Sequence, residues 1–276
     1  MGISRKTFLQ QSIASVLSIS AAGLLYLPAA ALPAARKRRL RIAVLSDGHF
    51  GQKNTDYAAF HSDALRWLQH EKQQGLDFII LNGDLFHDDP AALPGLRDWL
   101  AQLPAPWYAS HGNHDRIAEL VWQELTGRPY NHVVYLGRDV FIFLNTADAA
   151  GKYIQEPTTW MAEQLQRYRQ VPNLFVVMHI TPFGWTSAGH PHPDMVALFS
   201  AQPNLRAIFH GHDHEEDGYK LHEGKPYFFD GHTGGSWGVP YRGYRILEIA
   251  KDNSIYTYQV NPAQAQPVNE WKVKPD

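Results

Sequence analysis

Histidine is the over-used residue of this 276-residue chain, with 15 copies beside 27 Asp and Glu and no Cys. Much of it falls into five short polar clusters. In chain order they are Asp47-Gly48-His49, Gly83-Asp84, Gly112-Asn113-His114-Asp115, a single His179, and Gly211-His212-Asp213-His214. Imidazole and carboxylate together suit Zn, Mn, Fe, Ni or Co, and the absence of thiolate excludes Cys-based zinc and iron–sulfur sites. Imidazole also titrates near neutral pH, so proton transfer is the second chemistry open to this set. Singly, each cluster has an ordinary structural reading. Asp47-Gly48-His49 and Gly83-Asp84 could be turns, Gly112–Asp115 could be Asn/Asp turn chemistry, and His179 could be a hydrogen-bonded core residue. His212 and His214 alternate, so they share one side only if the loop brings them together.

The clusters can act together only if the elements before them share a direction. Leu40–Ser46 and Asp77–Asn82 are short apolar runs predicted to be buried strands. Between them Tyr57, Phe60, Ala64 and Leu68 recur at steps of three and four, an amphipathic helix. Leu93, Leu96, Leu100 and Leu103 repeat that pattern, and Trp107–Ser110 reads as the next strand. Val133–Leu136 and Val140–Leu144 flank a turn at Gly137, a hairpin. A helix around Thr158–Tyr168 leads to strands Leu174–Met178 and Leu205–Phe209. The tail then offers strands Tyr227–Phe229, Tyr244–Ile249 and Ile255–Val260 with no helix between them. Alternation followed by a strand-rich end predicts an α/β layered sandwich with mixed sheets. Each cluster immediately follows a strand, and in α/β folds ligands bind beyond the carboxyl ends of strands. Five clusters can therefore converge on one cleft, with glycines where the backbone must pass close to a ligand. Residues 36–276, without internal repeat or low-complexity linker, read as a single domain.

In this order the clusters resemble the calcineurin-like metallophosphoesterase superfamily, D-x-H … G-D … G-N-H-D/E … H … G-H-x-H. All five blocks are present, from Asp47 to His214. The resemblance implies an α/β/β/α sandwich and two divalent metal ions bridged by one carboxylate. On it, Asp47, His49, Asp84 and His214 hold the first metal, and Asp84, Asn113, His179 and His212 the second. The resemblance makes the chain a phosphoesterase in which a hydroxide shared by the metals attacks phosphorus. His114 would then assist the leaving oxygen as general acid, and Asp115 could orient it from the other ring nitrogen. Because Asn113 is neutral, the cluster with its two cations stays net positive and attracts a phosphate anion.

Departures from relatives narrow the expectation. His87 stands where purple acid phosphatases carry a tyrosine on ferric iron, so that charge-transfer site is excluded. Gly83-Asp84-Leu85-Phe86-His87 lacks the G-D-x-V-D-R-G of Ser/Thr protein phosphatases. The chain looks closer to small bacterial phosphodiesterases. His87, Asp88 and Asp89 could rim the cleft, but read first as solvated polar residues. Loop Thr181–Pro193, with Phe183, Trp185, His190 and His192, could stack an aromatic substrate group or simply bury its rings, and Trp237 and Tyr241 are open in the same way. His61, His70 and His132 read as ordinary surface histidines. The expected substrate is a small phosphodiester or phosphomonoester. The alternatives are a periplasmic nuclease or nucleotidase, and a non-catalytic metal- or phosphate-binding protein.

Charge and the amino terminus bear on partners and location. Residues 1–41 hold seven basic residues and no acid, which leaves 18 basic against 27 acidic residues beyond them, a net of −9. An acidic body is a poor holder of nucleic acid, so no stable nucleic-acid partner is expected. Residues 1–35 read as an export signal: a basic start, an uncharged run from Thr7, and an Ala-rich end near Pro28 and Pro33. Ser4-Arg5-Lys6-Thr7-Phe8-Leu9-Gln10 resembles a twin-arginine signal with Lys6 for the second arginine. The expectations are an export translocase as partner and a periplasmic protein, with a membrane contact only if the signal stays uncleaved.

Overall fold

The computed structural model describes residues 38–273 and, before them, one two-residue strand pair, Ile19–Ser20 with Gly23–Leu24. Apart from that pair, the export signal expected over residues 1–35 lies outside the described residues. Among those described, no helix is long and apolar enough to cross a membrane.

From residue 38 the elements are β1 (Arg38–Leu45), α1 (Tyr57–Gln73), β2 (Phe78–Asn82), a 3₁₀ turn (Pro90–Ala92), α2 (Leu93–Leu100), β3 (Trp107–Ser110) and α3 (Glu119–Thr126). The hairpin β4 (His132–Leu136) and β5 (Asp139–Leu144) follows, then α4 (Thr158–Arg167), β6 (Asn173–Met178), α5 (Pro193–Ala201) and β7 (Leu205–His210). The chain ends in β8 (Tyr219–His222), β9 (Lys225–Phe229), β10 (Tyr244–Ala250), β11 (Ile255–Val260) and β12 (Val268–Val273). They form two six-stranded mixed sheets, ordered β12-β11-β10-β1-β2-β3 and β8-β9-β7-β6-β5-β4. In the first, β1, β2 and β3 are parallel; in the second, β5, β6, β7 and β9 are parallel.

Side-chain alternation explains the layering. In β1, Ala43 and Leu45 pack with Ala64 and Leu68 of α1 and Leu96 and Leu100 of α2. Ile42 and Val44 point the other way, into a core shared with Phe141, Phe175, Val177 and Phe209 of the second sheet. In β6, Leu174, Val176 and Met178 bury against Met161 and Leu165 of α4 and Met195 and Phe199 of α5. Strands covered on both faces must be apolar at every position, which is why FIILN and LFVVM read as continuous runs rather than alternating ones. The result is the expected α/β/β/α sandwich, with the parallel strands delivering their carboxyl ends to one edge.

Four elements were not anticipated: α3, α5, β8 and β12. The two helices are only 8 and 9 residues long. The strands lie at sheet edges, where half-exposed positions blur the pattern that identifies central strands. Two histidines expected at the surface are instead buried. His61 donates its Nδ1 proton to the Tyr57 carbonyl at 2.8 Å and sits edge-on to Trp99, and burial lowers it to about 4. His132 stacks on Phe143 at 4.5 Å. An imidazole whose N–H finds a local carbonyl buries like any aromatic ring.

Candidate metal centre

The five clusters meet where the loops after β1, β2, β3, β6 and β7 run together. Backbone bonds tie neighbouring loops: the Asp47 amide donates to the Gly83 carbonyl at 3.1 Å and the His49 amide to the Asp84 carbonyl at 2.9 Å. On the second sheet the Gly211 amide donates to the His179 carbonyl at 3.0 Å. The His212 amide reaches across to Asp47 Oδ2 at 2.9 Å and locks the two sheets' loops to each other.

Close approach at the centre requires glycine. A Cβ on Gly112 would overlap the Asp84 carboxylate, and one on Gly211 would overlap the Ser46 hydroxyl and Asp47. Asp47, His49, Asp84 and His212 all sit at positive φ, between 47° and 66°. That conformation costs roughly 1–3 kcal/mol per non-glycine residue and persists where function fixes it.

Three groups of donor atoms result: one of histidines alone, His49, His87 and His114, and two that include a carboxylate. Asp47, His49 and His214 bring nitrogen and carboxylate oxygen within 4.8 Å of one another, as do Asp84, His179 and His212. Asp84 lies between them: its Oδ2 is 3.8 Å from His49 Nε2 and 3.2 Å from His179 Nε2. His49 Nε2 and His214 Nε2 face each other at 3.0 Å, and His214 Nε2 is 3.0 Å from Asp47 Oδ1. Buried Asn113 Oδ1 has no hydrogen-bond partner, and His179 Nε2, although 3.2 Å from Asp84 Oδ2, makes no aligned hydrogen bond. Buried polar atoms are almost always satisfied, so a His179 nitrogen held against the Asp84 carboxylate without an aligned hydrogen bond fits a cation.

The outer contacts fit it as well. His179, His214 and His49, whose Nε2 atoms face the carboxylates, each have the second ring nitrogen engaged, the arrangement that orients metal-bound imidazole. His179 Nδ1 donates to the Asn82 carbonyl at 2.7 Å, and His214 Nδ1 to the Trp237 carbonyl at 3.1 Å. His49 Nδ1 meets His87 Nδ1 at 2.9 Å, and His212 Nε2 meets the Tyr153 hydroxyl at 2.8 Å. Burial, with His114 nearby, lowers His87, which suits it to accept the His49 proton as a neutral ring.

The electrostatics store the charge that a cation would meet. Burial alone would raise Asp47 and Asp84, yet His214 and His179 beside them hold both carboxyls well below the usual range. Burial would lower His179, but Asp84 and Asp47 push it up to about 10, and His214 rises for the same reason. Binding a divalent cation exchanges those histidine protons for metal charge.

His114 belongs to neither carboxylate-bearing set but groups with His49 and His87, its ring 5.0 Å from that of His49. Its Nδ1 lies 2.8 Å from Asp88 Oδ1, not from Asp115. Asp115 is wholly buried, and its two oxygens accept from the Phe86 amide at 3.1 Å and the Gly112 amide at 3.0 Å. Burial, with Asp84 close by, pushes its carboxyl well up. Asp115 therefore shapes the loop, and the expected role of orienting His114 passes to Asp88. The reason is local. Asp88 turns at φ 61°, and its amide donates to the His114 carbonyl at 3.0 Å, bringing the two residues alongside. Arg116 Nε, 3.1 Å from Asp88 Oδ1, holds the carboxylate from the other side. His87 stacks on His114 at 4.5 Å, so His87 and Asp88 are engaged beside the cleft rather than merely solvated.

In loop Thr181–Pro193, Phe183 and Trp185 stack at 3.7 Å and both pack edge-on to Tyr227 of β9, each remaining half-buried. Tyr241 gives its hydroxyl proton to Asp217 at 2.6 Å. Tyr153 is a residue that sequence reasoning missed, since nothing near it marks a partner for His212.

Known proteins resemble this chain at two levels. A stretch of 58 residues is 43% identical to a probable cyclic nucleotide phosphodiesterase of Synechococcus sp., and covers 21% of this chain and 22% of that one. The chain thus matches only about a fifth of the length of that curated relative. A dimetal phosphatase from Danio rerio superimposes with a TM-score of 0.71 at 10% identity, over 87% of this chain and all of that one. A purple acid phosphatase from yellow lupin (Lupinus luteus) gives 0.65 at 12% identity, over 86% of this chain and 54% of that one. At such identities the likeness is one of fold. The sequence model of the calcineurin-like phosphoesterase family matches residues 40–216, a span that holds every cluster from Asp47 to His214, and the chain belongs to that family.

Proposed function

We propose that this chain is a phosphodiesterase that works through two divalent metal ions with Asp84 shared between them. Asp47, His49 and His214 would complete the first site, and Asn113, His179 and His212 the second. The donor set suits Mn, Fe, Zn, Co or Ni. The observation that carries the reading is the pair of adjoining carboxylate-bearing ligand sets with Asp84 Oδ2 between His49 and His179. Two such ions, when bound, lower the pKa of a shared water and stabilise the attacking and leaving oxygens of an in-line displacement.

The chain's own residues supply the rest. With Nδ1 held on Asp88, His114 offers its other nitrogen to the departing oxygen and delivers a proton there. A protein that only bound metal or phosphate would have no use for that pair. A diester is favoured over a monoester by charge. The guanidiniums at the edge of the site are engaged, Arg116 by Asp88 and Arg242 by the Gly235 carbonyl and the face of Phe60. Neither guanidinium is thereby free to meet the second negative charge of a monoester. The test compares bis(p-nitrophenyl) phosphate with p-nitrophenyl phosphate, which share a leaving group, across the five metals. The expected result is a higher kcat/KM for the diester; preference for the monoester with every metal would reverse the assignment.

We also propose that residues 1–35 direct export to the periplasm through the twin-arginine route, leaving residues 36–276 as the working domain. Arg5-Lys6 supports that route, which carries proteins already folded around their metals. Periplasmic protein should disappear from a strain lacking the translocase; normal accumulation there would leave only a general secretory signal.

A further inference from the structure

Among the described residues, five large apolar side chains stand out as exposed: Leu120, Tyr135, Tyr219, Leu221 and Trp237. The first four lie on α3 and on the edge strands β4 and β8, away from the clusters. Trp237 alone lies against candidate metal ligands. One face of its ring covers His214 at 4.2 Å with an interplanar angle of 3°, and its centroid is 5.1 Å from that of His49. It nonetheless keeps 39% of its surface exposed.

The loop bearing it is pinned on both sides. The Gly234 amide donates to the Asp47 carbonyl at 2.8 Å, and the Val239 amide to the His214 carbonyl at 2.8 Å. Arg242 Nη2 holds the Gly235 carbonyl at 2.9 Å, and Gln52 reaches the Ser236 hydroxyl at 3.3 Å. The Trp237 carbonyl itself accepts from His214 Nδ1. An indole fixed in this way has already lost its conformational entropy, so a ligand that stacks on it incurs no further ordering cost. Packing on His214 needs one face of the ring only and does not account for the exposed remainder.

We propose that Trp237 is the platform of a substrate subsite for a planar aromatic ring, so that the diester hydrolysed here carries a nucleobase or similar ring on the arm that does not leave. This rests on the phosphodiesterase reading above and adds the substrate class to it. Stacking tolerates any base, because every base has a π-face, and contributes on the order of 1–3 kcal/mol by alanine substitution. The subsite therefore selects for a ring without specifying which one.

The test uses two esters with the same leaving group, thymidine 5′-(p-nitrophenyl phosphate) and methyl p-nitrophenyl phosphate, with metal-loaded full chain. Trp237→Leu keeps the backbone carbonyl that holds His214 and an apolar cover over it, but removes the planar face. Its kcat/KM on the nucleoside ester should fall about 5- to 150-fold further than on the methyl ester, mainly through KM. Trp237→Phe should recover most of the loss, and both variants should bind metal as wild type does. Equal losses on the two esters, or no loss on either, would overturn the subsite while the phosphodiesterase reading stands. Failure of the metal-loaded wild type to turn over either ester would overturn that reading and the subsite with it.

Discussion

Asp84→Asn protein should lose metal from both sites together and fall to background turnover. Asp84 is wholly buried, its Oδ2 faces both ligand sets, and its Oδ1 accepts the His114 amide at 2.8 Å. An amide in its place removes one negative charge from each site and presents an N–H where a lone pair is needed. His70→Ala, on the half-exposed part of α1, is the matched control and should keep full activity and metal content. Metal analysis of the purified proteins reads the difference directly. Asp84→Asn protein with wild-type metal content and rate would show that the two sets do not share a carboxylate.

The second large effect separates proton transfer from metal binding. His114→Ala should keep both metals and lose about 10²–10⁴ in rate, the range of a positioned general acid. The deficit should depend on the leaving group. An alkoxide needs a proton as its bond breaks, whereas nitrophenolate leaves almost unaided, so an alkyl ester should suffer much more than a nitrophenyl ester. Asp88→Asn should repeat that pattern more weakly, because the ring stays but its Nδ1 partner is altered. Asp115→Asn should behave otherwise. It places an amide against two backbone donors, costs about 1–3 kcal/mol of stability and shows no dependence on the leaving group. Equal penalties on both esters in metal-loaded His114→Ala would leave His114 as a phosphate-positioning residue.

These contrasts show what the sequence could and could not carry. The seven candidate ligands were legible because each directly follows an apolar strand, and parallel strands bring their carboxyl ends to one edge. The paired sheets were legible from runs such as FIILN, which need cover on both faces. The partner of His114 was not. Adjacency in sequence favoured Asp115, whereas a left-handed turn at Asp88, 26 residues earlier, sets the true neighbour. Asp tolerates a left-handed turn, but residue type alone does not mark which Asp adopts one. His87 and Tyr153 escaped for a related reason: each meets a ring nitrogen of a candidate ligand, a role without spacing or periodicity. His61 and His132 misled in the opposite direction, since a histidine with one local carbonyl acceptor buries in a core without chemical purpose.

The central claim is that Asp84 joins two metal sites. Anomalous scattering from crystals of the full chain loaded with Mn²⁺ tests it most directly. The account predicts two peaks about 3.5–4 Å apart on either side of Asp84, one toward Asp47, His49 and His214, the other toward Asn113, His179 and His212. A single peak, or two peaks that do not share Asp84, would contradict it.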